Sequence, residues 1–158
     1  MHQWQIRGGT AEPIVITTFN RDENTKSGTI KNIRFFNVTA KGENGVLIHG
    51  NEDNIIEDVT FENCSIELTK TSKWQCGLYD LRPCLDYGVE SYDNSAFFIR
   101  HAKDVNIRKT KTRWGNLCDS YSYAIDAANV ENLNLYEFDG KSAKENTDDI
   151  KIDRVKLN

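Results

Sequence analysis

Asn32-Ile33-Arg34-Phe35 reads polar, aliphatic, polar, apolar, and the same pattern returns as Asp58-Val59-Thr60-Phe61, Asp104-Val105-Asn106-Ile107 and Asn132-Leu133-Asn134-Leu135. The steps between copies are 26, 46 and 28 residues, and a period near 25 marks a repeat architecture. A second phrase travels with the first: Ile14-Val15-Ile16-Thr17, Val46-Leu47-Ile48-His49, Phe97-Phe98-Ile99-Arg100 and Tyr123-Ala124-Ile125-Asp126, each strand-like and ending in a polar residue. Two strand types per repeat, stacked coil on coil, predict a solenoid.

The phrases are rich in Val, Ile, Phe and Thr and alternate with polar residues, as strands with one buried face do. Gly, Asn, Asp and Ser gather between them and supply turn chemistry. A sandwich does not require one phrase to recur in one order. A parallel β-helix does, because each strand pairs with its own copy one turn later, roughly 4.8 Å away. The fold expected is therefore all-β, a single-stranded right-handed parallel β-helix of about five coils forming one domain over residues 1–158. Three inward columns follow: Ile33, Val59, Val105 and Leu133; Phe35, Phe61, Ile107 and Leu135; and Ile16, Ile48, Ile99 and Ile125.

The step of 46 is too long for one coil, so residues 69–95, holding Trp74, Cys76, Tyr79, Asp80, Arg82, Pro83, Cys84 and Tyr87, are expected to form a loop excursion. The tail from Asp148 to Leu157 alternates again and is expected to start a last coil. Open coil ends expose strand edges. Either the first dozen residues with Trp4 cover one end, or a second copy does, giving a homo-oligomer through coil ends, or the chain is a piece of something longer.

With 20 basic against 24 acidic residues the net charge is −4, and no Lys/Arg block is present. Nucleic acid is thus excluded as an expected partner, since phosphate binding needs concentrated positive charge. No apolar stretch reaches the ~20 residues that span a bilayer, so no membrane partner is expected, and the first residues lack a signal-peptide pattern. Cys64 occupies the place of Val38 one repeat earlier and is expected to be a small buried hydrophobe. Cys76 and Cys84 share the excursion and are candidates to bridge in an oxidising compartment.

At I-K-N-I-R-F-F-N-V-T (30–39), E-N-G-V-L-I-H-G (43–50) and I-E-D-V-T-F-E-N-C (56–64) the chain resembles the polygalacturonase family, glycoside hydrolase family 28, in the C-terminal coils of its bacterial members. The resemblance extends through G-L-Y-D-L-R-P (77–83) and A-K-D-V-N-I (102–107) to N-V-E-N-L-N-L (129–135). It implies a right-handed parallel β-helix, a pectin-type polysaccharide or oligosaccharide partner, no cofactor, and a secreted or periplasmic protein. The family's catalytic series (Asn-Thr-Asp, Asp-Asp, Gly-His-Gly, Arg-Ile-Lys) is not present in order. Asn146-Thr147-Asp148-Asp149, Arg154-Val155-Lys156 and His49-Gly50 are its nearest pieces, in another sequence. Adjacent Asp148 and Asp149 on a strand point to opposite faces, whereas inverting hydrolysis needs two carboxyls about 6.5–9.5 Å apart across the scissile bond.

The resemblance therefore implies a catalytically incomplete half. The alternatives are an enzyme with a non-family or intersubunit site built on Asp126, His49 or Asp148, and an assembly module. The polar ends of the second phrase define an outward column, Thr17, His49, Arg100 and Asp126, with Leu47, Phe98 and Ala124 two residues earlier. Phe98 offers a ring face for a sugar and Arg100 a cation for a uronate, and Asp80 and Arg82 are placed to lean over the same face. Substrate-binding candidates are accordingly His49, Phe98, Arg100, Asp126, Asp80 and Arg82. The plainer alternatives are an Arg100–Asp126 surface ion pair and an Asp80–Arg82 loop pin. His49 is either an acid-base group or a solvated surface histidine. His2 and His101 complete no metal set with it, so no metal is expected. Asn37 and Asn63 recur at one repeat position as turn residues suited to hydrogen-bonding along the stack.

Overall fold

A computed structural model describes residues 12–157. It is all-β, with no helix among the described residues. In chain order the strands are β1 (Ile14–Thr17), β2 (Lys31–Phe36), β3 (Thr39–Gly42), β4 (Val46–His49), β5 (Ile56–Glu62), β6 (Ser65–Leu68), β7 (Leu78–Asp80), β8 (Val89–Ser91), β9 (Phe97–Arg108), β10 (Lys111–Trp114), β11 (Ile125–Tyr136) and β12 (Ile150–Leu157). Every pairing is parallel except that of the β7–β8 hairpin. One sheet runs β1-β4-β9-β11-β12, with β2 and β5 joining through the second half of β9. A three-stranded sheet runs β10-β6-β3.

The repeated phrase explains itself in backbone terms. Its first residue, Asn32, Asp58, Asp104 or Asn132, sits at φ of 61°, 53°, 54° and 59°. Left-handed backbone is costly for most side chains and cheapest for Asn and Asp after glycine. A second left-handed column falls four residues after each aliphatic position, at Asn37, Asn63, Lys109 and Glu137. A third comprises His101, Asn129 and Arg154. These residues mark the corners, and β9, which contains His101 and Asp104, bends at both.

Between corners, equivalent positions lie in register. Ile33 faces Val59, Val59 faces Val105 and Val105 faces Leu133; Phe35, Phe61, Ile107 and Leu135 do the same one step on. Val59, Phe61, Val105, Ile107 and Leu133 are wholly buried, and Phe35 stacks on Phe61 at 4.6 Å. Each large side chain so buried contributes about 1.5–3 kcal/mol before chain entropy is counted. Asn63 Nδ2 donates to Asn37 Oδ1 at 2.7 Å, so these corner amides bond along the stack as the sequence suggests; Asn132 donates to Asp104 at 2.8 Å at another corner, and Asn134 to Asn106 at 3.0 Å between corners. Cys64 is buried in the core.

The third column differs from expectation by two residues. Ile16, Ile48 and Ile99 align, but the next member is Ala127, followed by Ile152. Ile125 instead faces Phe97 and continues the column of Ile14 and Val46. A shift of two preserves which face a side chain points to, so alternation in the sequence cannot detect it.

Residues 69–95 leave the sheets between β6 and β9 and fold back over one of them. Glu43 anchors the departure: it accepts hydrogen bonds from Lys70 Nζ at 2.9 Å, from the Thr71 amide and hydroxyl at 2.8 and 2.7 Å, and from the Ser72 amide. Burial alone would raise the Glu43 pKa, but these donors prevail and bring it to about 2. The excursion then caps Leu47 and Phe98 with Tyr79 and Leu81, a buried cluster separate from the main core, with Phe19, Tyr87 and Tyr92 against it. The bridge expected between Cys76 and Cys84 is not formed. Cys76 pairs with Cys118 in the loop between β10 and β11, and Cys84 is free.

Candidate functional site

The candidates on the outward column are brought together, but beneath the excursion. Phe98 is 1% exposed, with Tyr79 stacked on it at 4.8 Å and Tyr92 at 5.0 Å. The open ring face anticipated for it is thus occupied by tyrosines the chain supplies itself. The Arg100 guanidinium lies 3.8 Å over the same ring and pairs with Asp126 at 2.8 Å. The plainer ion-pair reading therefore describes this couple, except that Asp126 is buried rather than at the surface. Register places Asp126 opposite Phe98, one column over from His49 and Arg100, and Ala128, not Asp126, opposite Arg100. Ala124, expected two residues earlier in the outward column, precedes β11 and is buried.

His49 is not solvated. It is 3% exposed and ringed by Phe19 at 4.9 Å and Tyr87 at 5.1 Å, with Nδ1 2.7 Å from the Gly50 carbonyl oxygen. Burial is the main cause that lowers its pKa from 6.5 to about 4, so it is neutral at pH 7. No open face reaches it for acid-base work. Asp80 and Arg82 hold each other, Nε to Oδ1 at 2.8 Å and Nη2 to Oδ2 at 2.7 Å, in an exposed fork. Asp148 is exposed, while its neighbour Asp149 accepts from Lys141 at 3.0 Å and the Ser142 amide at 2.8 Å.

Open space lies instead at the foot of the excursion. A cleft of about 750 Å³ has Trp74, Tyr92, Asp93, Asp119 and Ser120 on its walls and the Cys76–Cys118 disulfide in its lining. Trp74 is 45% exposed, and Lys73 Nζ stands 5.5 Å from its ring centroid. Ser120 Oγ donates to Asn94 Oδ1 at 2.7 Å, and the same oxygen accepts the Gly77 amide at 2.8 Å. The buried Asn94 thereby ties both walls to the fold. A smaller hollow of about 300 Å³ shares Cys118 and Asp119 with this cleft and adds Leu117, Tyr121 and Lys144. Lys144 Nζ is 3.9 Å from Asp93 Oδ1.

An exposed indole, two carboxylates, a serine hydroxyl and lysines suit a polyhydroxylated ring: the indole covers its C–H face, and the polar groups take its hydroxyls. The sequence reading named Trp74 only as excursion content and passed over Asp93 and Asp119. The walls of the cleft come from segments 42 residues apart that the disulfide joins, and no local pattern announces that. A second hollow of about 650 Å³ lies along the third corner column, between Glu52, His101, Asn129, Glu131 and Arg154; burial is the first cause lowering the His101 pKa there. Among the described residues, no group of His, Cys, Asp and Glu is placed to hold a metal. Comparison with protein-family models, with curated proteins and with solved structures finds no match to this chain.

Proposed function

We propose that the chain is a right-handed parallel β-helix of about five coils, akin to the C-terminal coils of polygalacturonase-like proteins, and that it binds a pectin-type, uronate-containing oligosaccharide without hydrolysing it. The in-register columns and the three sets of left-handed corners support the winding. The observation that carries the binding reading is the cleft itself: Trp74 for a ring face, Asp93, Asp119 and Ser120 for hydroxyls, and Lys144 at its margin for a uronate carboxylate. The Cys76–Cys118 bridge in its lining fits an oxidising, non-cytoplasmic setting.

Titration of the chain with oligogalacturonides, followed by tryptophan fluorescence and calorimetry, tests this. Saturable binding that Trp74→Ala and Lys144→Ala each weaken about tenfold or more, one lost ring or charged contact each, is the expected result. Binding unchanged in Trp74→Ala refutes the assignment of the cleft. Release of reducing sugar that Asp93→Asn or Asp119→Asn abolishes would replace binding with hydrolysis.

A further inference from the structure

We infer that Asp119 sets which sugar the cleft accepts: the ring over Trp74 is a neutral one, and a carboxylate is admitted at Lys144. The inference rests on the reading of the cleft as an oligosaccharide site and extends it to specificity. Among the described residues, the charged side chains lining the larger cleft are Asp93 and Asp119, both exposed carboxylates. Asp93 lies 3.9 Å from Lys144 Nζ, so its charge is partly balanced. The Asp119 carboxylate has no ion-pair or hydrogen-bond partner among the described residues. It also lines the smaller hollow that holds Lys144, and so stands where the two spaces adjoin.

The hydrogen bonds of the wall point the same way. The Gly77 amide can only donate, so the atom of Asn94 that it meets is the oxygen, and Asn94 Nδ2 is turned to Asn44 Oδ1 at 2.7 Å. Ser120 sends its proton to that same Asn94 oxygen at 2.7 Å. Its hydroxyl therefore faces the cleft as an acceptor. Asp93, Asp119 and Ser120 thus present acceptors to whatever lies against Trp74.

Sugar hydroxyls donate to such groups. A uronate carboxylate is itself an acceptor and carries the same charge as Asp119, so it gains no bond from them and is repelled. Lys73 does not reverse this: its Nζ stands over the Trp74 ring, 5.5 Å from the centroid, and it is not part of the lining. The acid-bearing unit is then directed to Lys144, and a run of uronates is the poorer ligand.

The probes are three kinds of disaccharide: digalacturonate, neutral galactobiose, and a mixed disaccharide of one galacturonate and one galactose in both linkage orders. Each is titrated into the full chain and followed by tryptophan fluorescence at low and high salt. One order of the mixed disaccharide should bind at least about fivefold tighter than digalacturonate, a gap that narrows as salt screens Asp119. Asp119→Asn should close the gap by strengthening digalacturonate binding, with the far-ultraviolet circular dichroism unchanged. Lys144→Gln should abolish the advantage of the mixed disaccharide over galactobiose, and Lys73→Gln should leave the ranking as it is. Digalacturonate bound by wild type as tightly as the mixed disaccharides refutes the role of Asp119, as does a gap that survives Asp119→Asn; the cleft remains a sugar site in both cases. Binding of none of the three, or binding that Trp74→Ala leaves unchanged, overturns the reading of the cleft and this inference with it.

Discussion

Acid should destabilise this fold through His49 before its carboxylates respond. The ring is held neutral: it packs 4.9–6.3 Å from Phe19, Tyr87, Phe98 and His101, with His101, Arg100 and Glu90 the titratable and charged groups that act on it. Its folded pKa of about 4, set chiefly by burial, lies below the ordinary 6.5. Between those values the unfolded chain binds a proton that the folded chain refuses, so stability falls as pH falls. The contribution is fully present above 6.5 and is lost down to about 4. At ~1.36 kcal/mol per pH unit the whole window is worth about 3 kcal/mol, of which about 2.5 kcal/mol is gone by pH 4.5. The assay is urea denaturation of wild type and His49→Gln at pH 7.5 and 4.5, a range that stops above the window of Glu43. His101→Gln is run alongside, because the His101 pKa is also lowered, by burial first. The glutamine variant should be the less stable protein at pH 7.5 and lose about 2.5 kcal/mol less than wild type on acidification. If both proteins lose the same stability, the ring is not desolvated in the folded state and the reasoning fails.

The core columns predict that Phe61→Ala, which removes a fully buried ring lying between Phe35 and Phe97, costs about 3–5 kcal/mol in the same denaturation assay; under 1 kcal/mol would mean the column is not packed. At the corner, Asn63→Ala places alanine at φ 54° and should cost about 1–2 kcal/mol, whereas Asn63→Gly, relieved of that strain, should cost less; the reverse order would deny the corner its role. Breaking the bridge by Cys76→Ser/Cys118→Ser reopens a loop 42 residues in span, worth up to about 4 kcal/mol by chain entropy. Limited proteolysis of that variant should cut first within residues 69–95, and cleavage elsewhere first would show that the excursion does not depend on the bridge.

What the sequence made legible was whatever repeats. The columns through Val59 and Phe61 could be read because an aliphatic or aromatic residue recurs at a fixed distance after an Asn or Asp, and the structure shows why that Asn or Asp is there: the backbone turns left-handed at each one. What did not repeat stayed hidden. Phe98 and His49 carry the same alternation as their neighbours, and nothing in it says that Tyr79, Leu81 and Tyr92 will be laid over Phe98, or Phe19 and Tyr87 over His49. Burial of an outward face is decided by the excursion, and the excursion is placed by three long-range ties: the Glu43 cage, Asn94 and the disulfide.

The two-residue slip in the β11 register has the same origin and a larger consequence. Tyr123-Ala124-Ile125-Asp126 and Ile125-Asp126-Ala127-Ala128 both alternate acceptably, so hydrophobic pattern alone leaves the two registers equal. Polar partners separate them. In the observed register Asp126 lies opposite Phe98, where its carboxylate meets Arg100 from the side at 2.8 Å and its own backbone oxygen accepts a second bond from the same guanidinium at 3.0 Å. The Asn134–Asn106 and Asn132–Asp104 bonds then fall into place eight and six residues on. Sliding β11 back by two would preserve the alternation and set Asp126 directly opposite Arg100, but it would carry Asn132 and Asn134 away from Asp104 and Asn106 and break the bonds between them. Half-buried amides that lose their partners cost free energy that the unchanged alternation of apolar side chains does not return, so the polar residues of the repeat phrase separate two registers that the apolar ones leave equal.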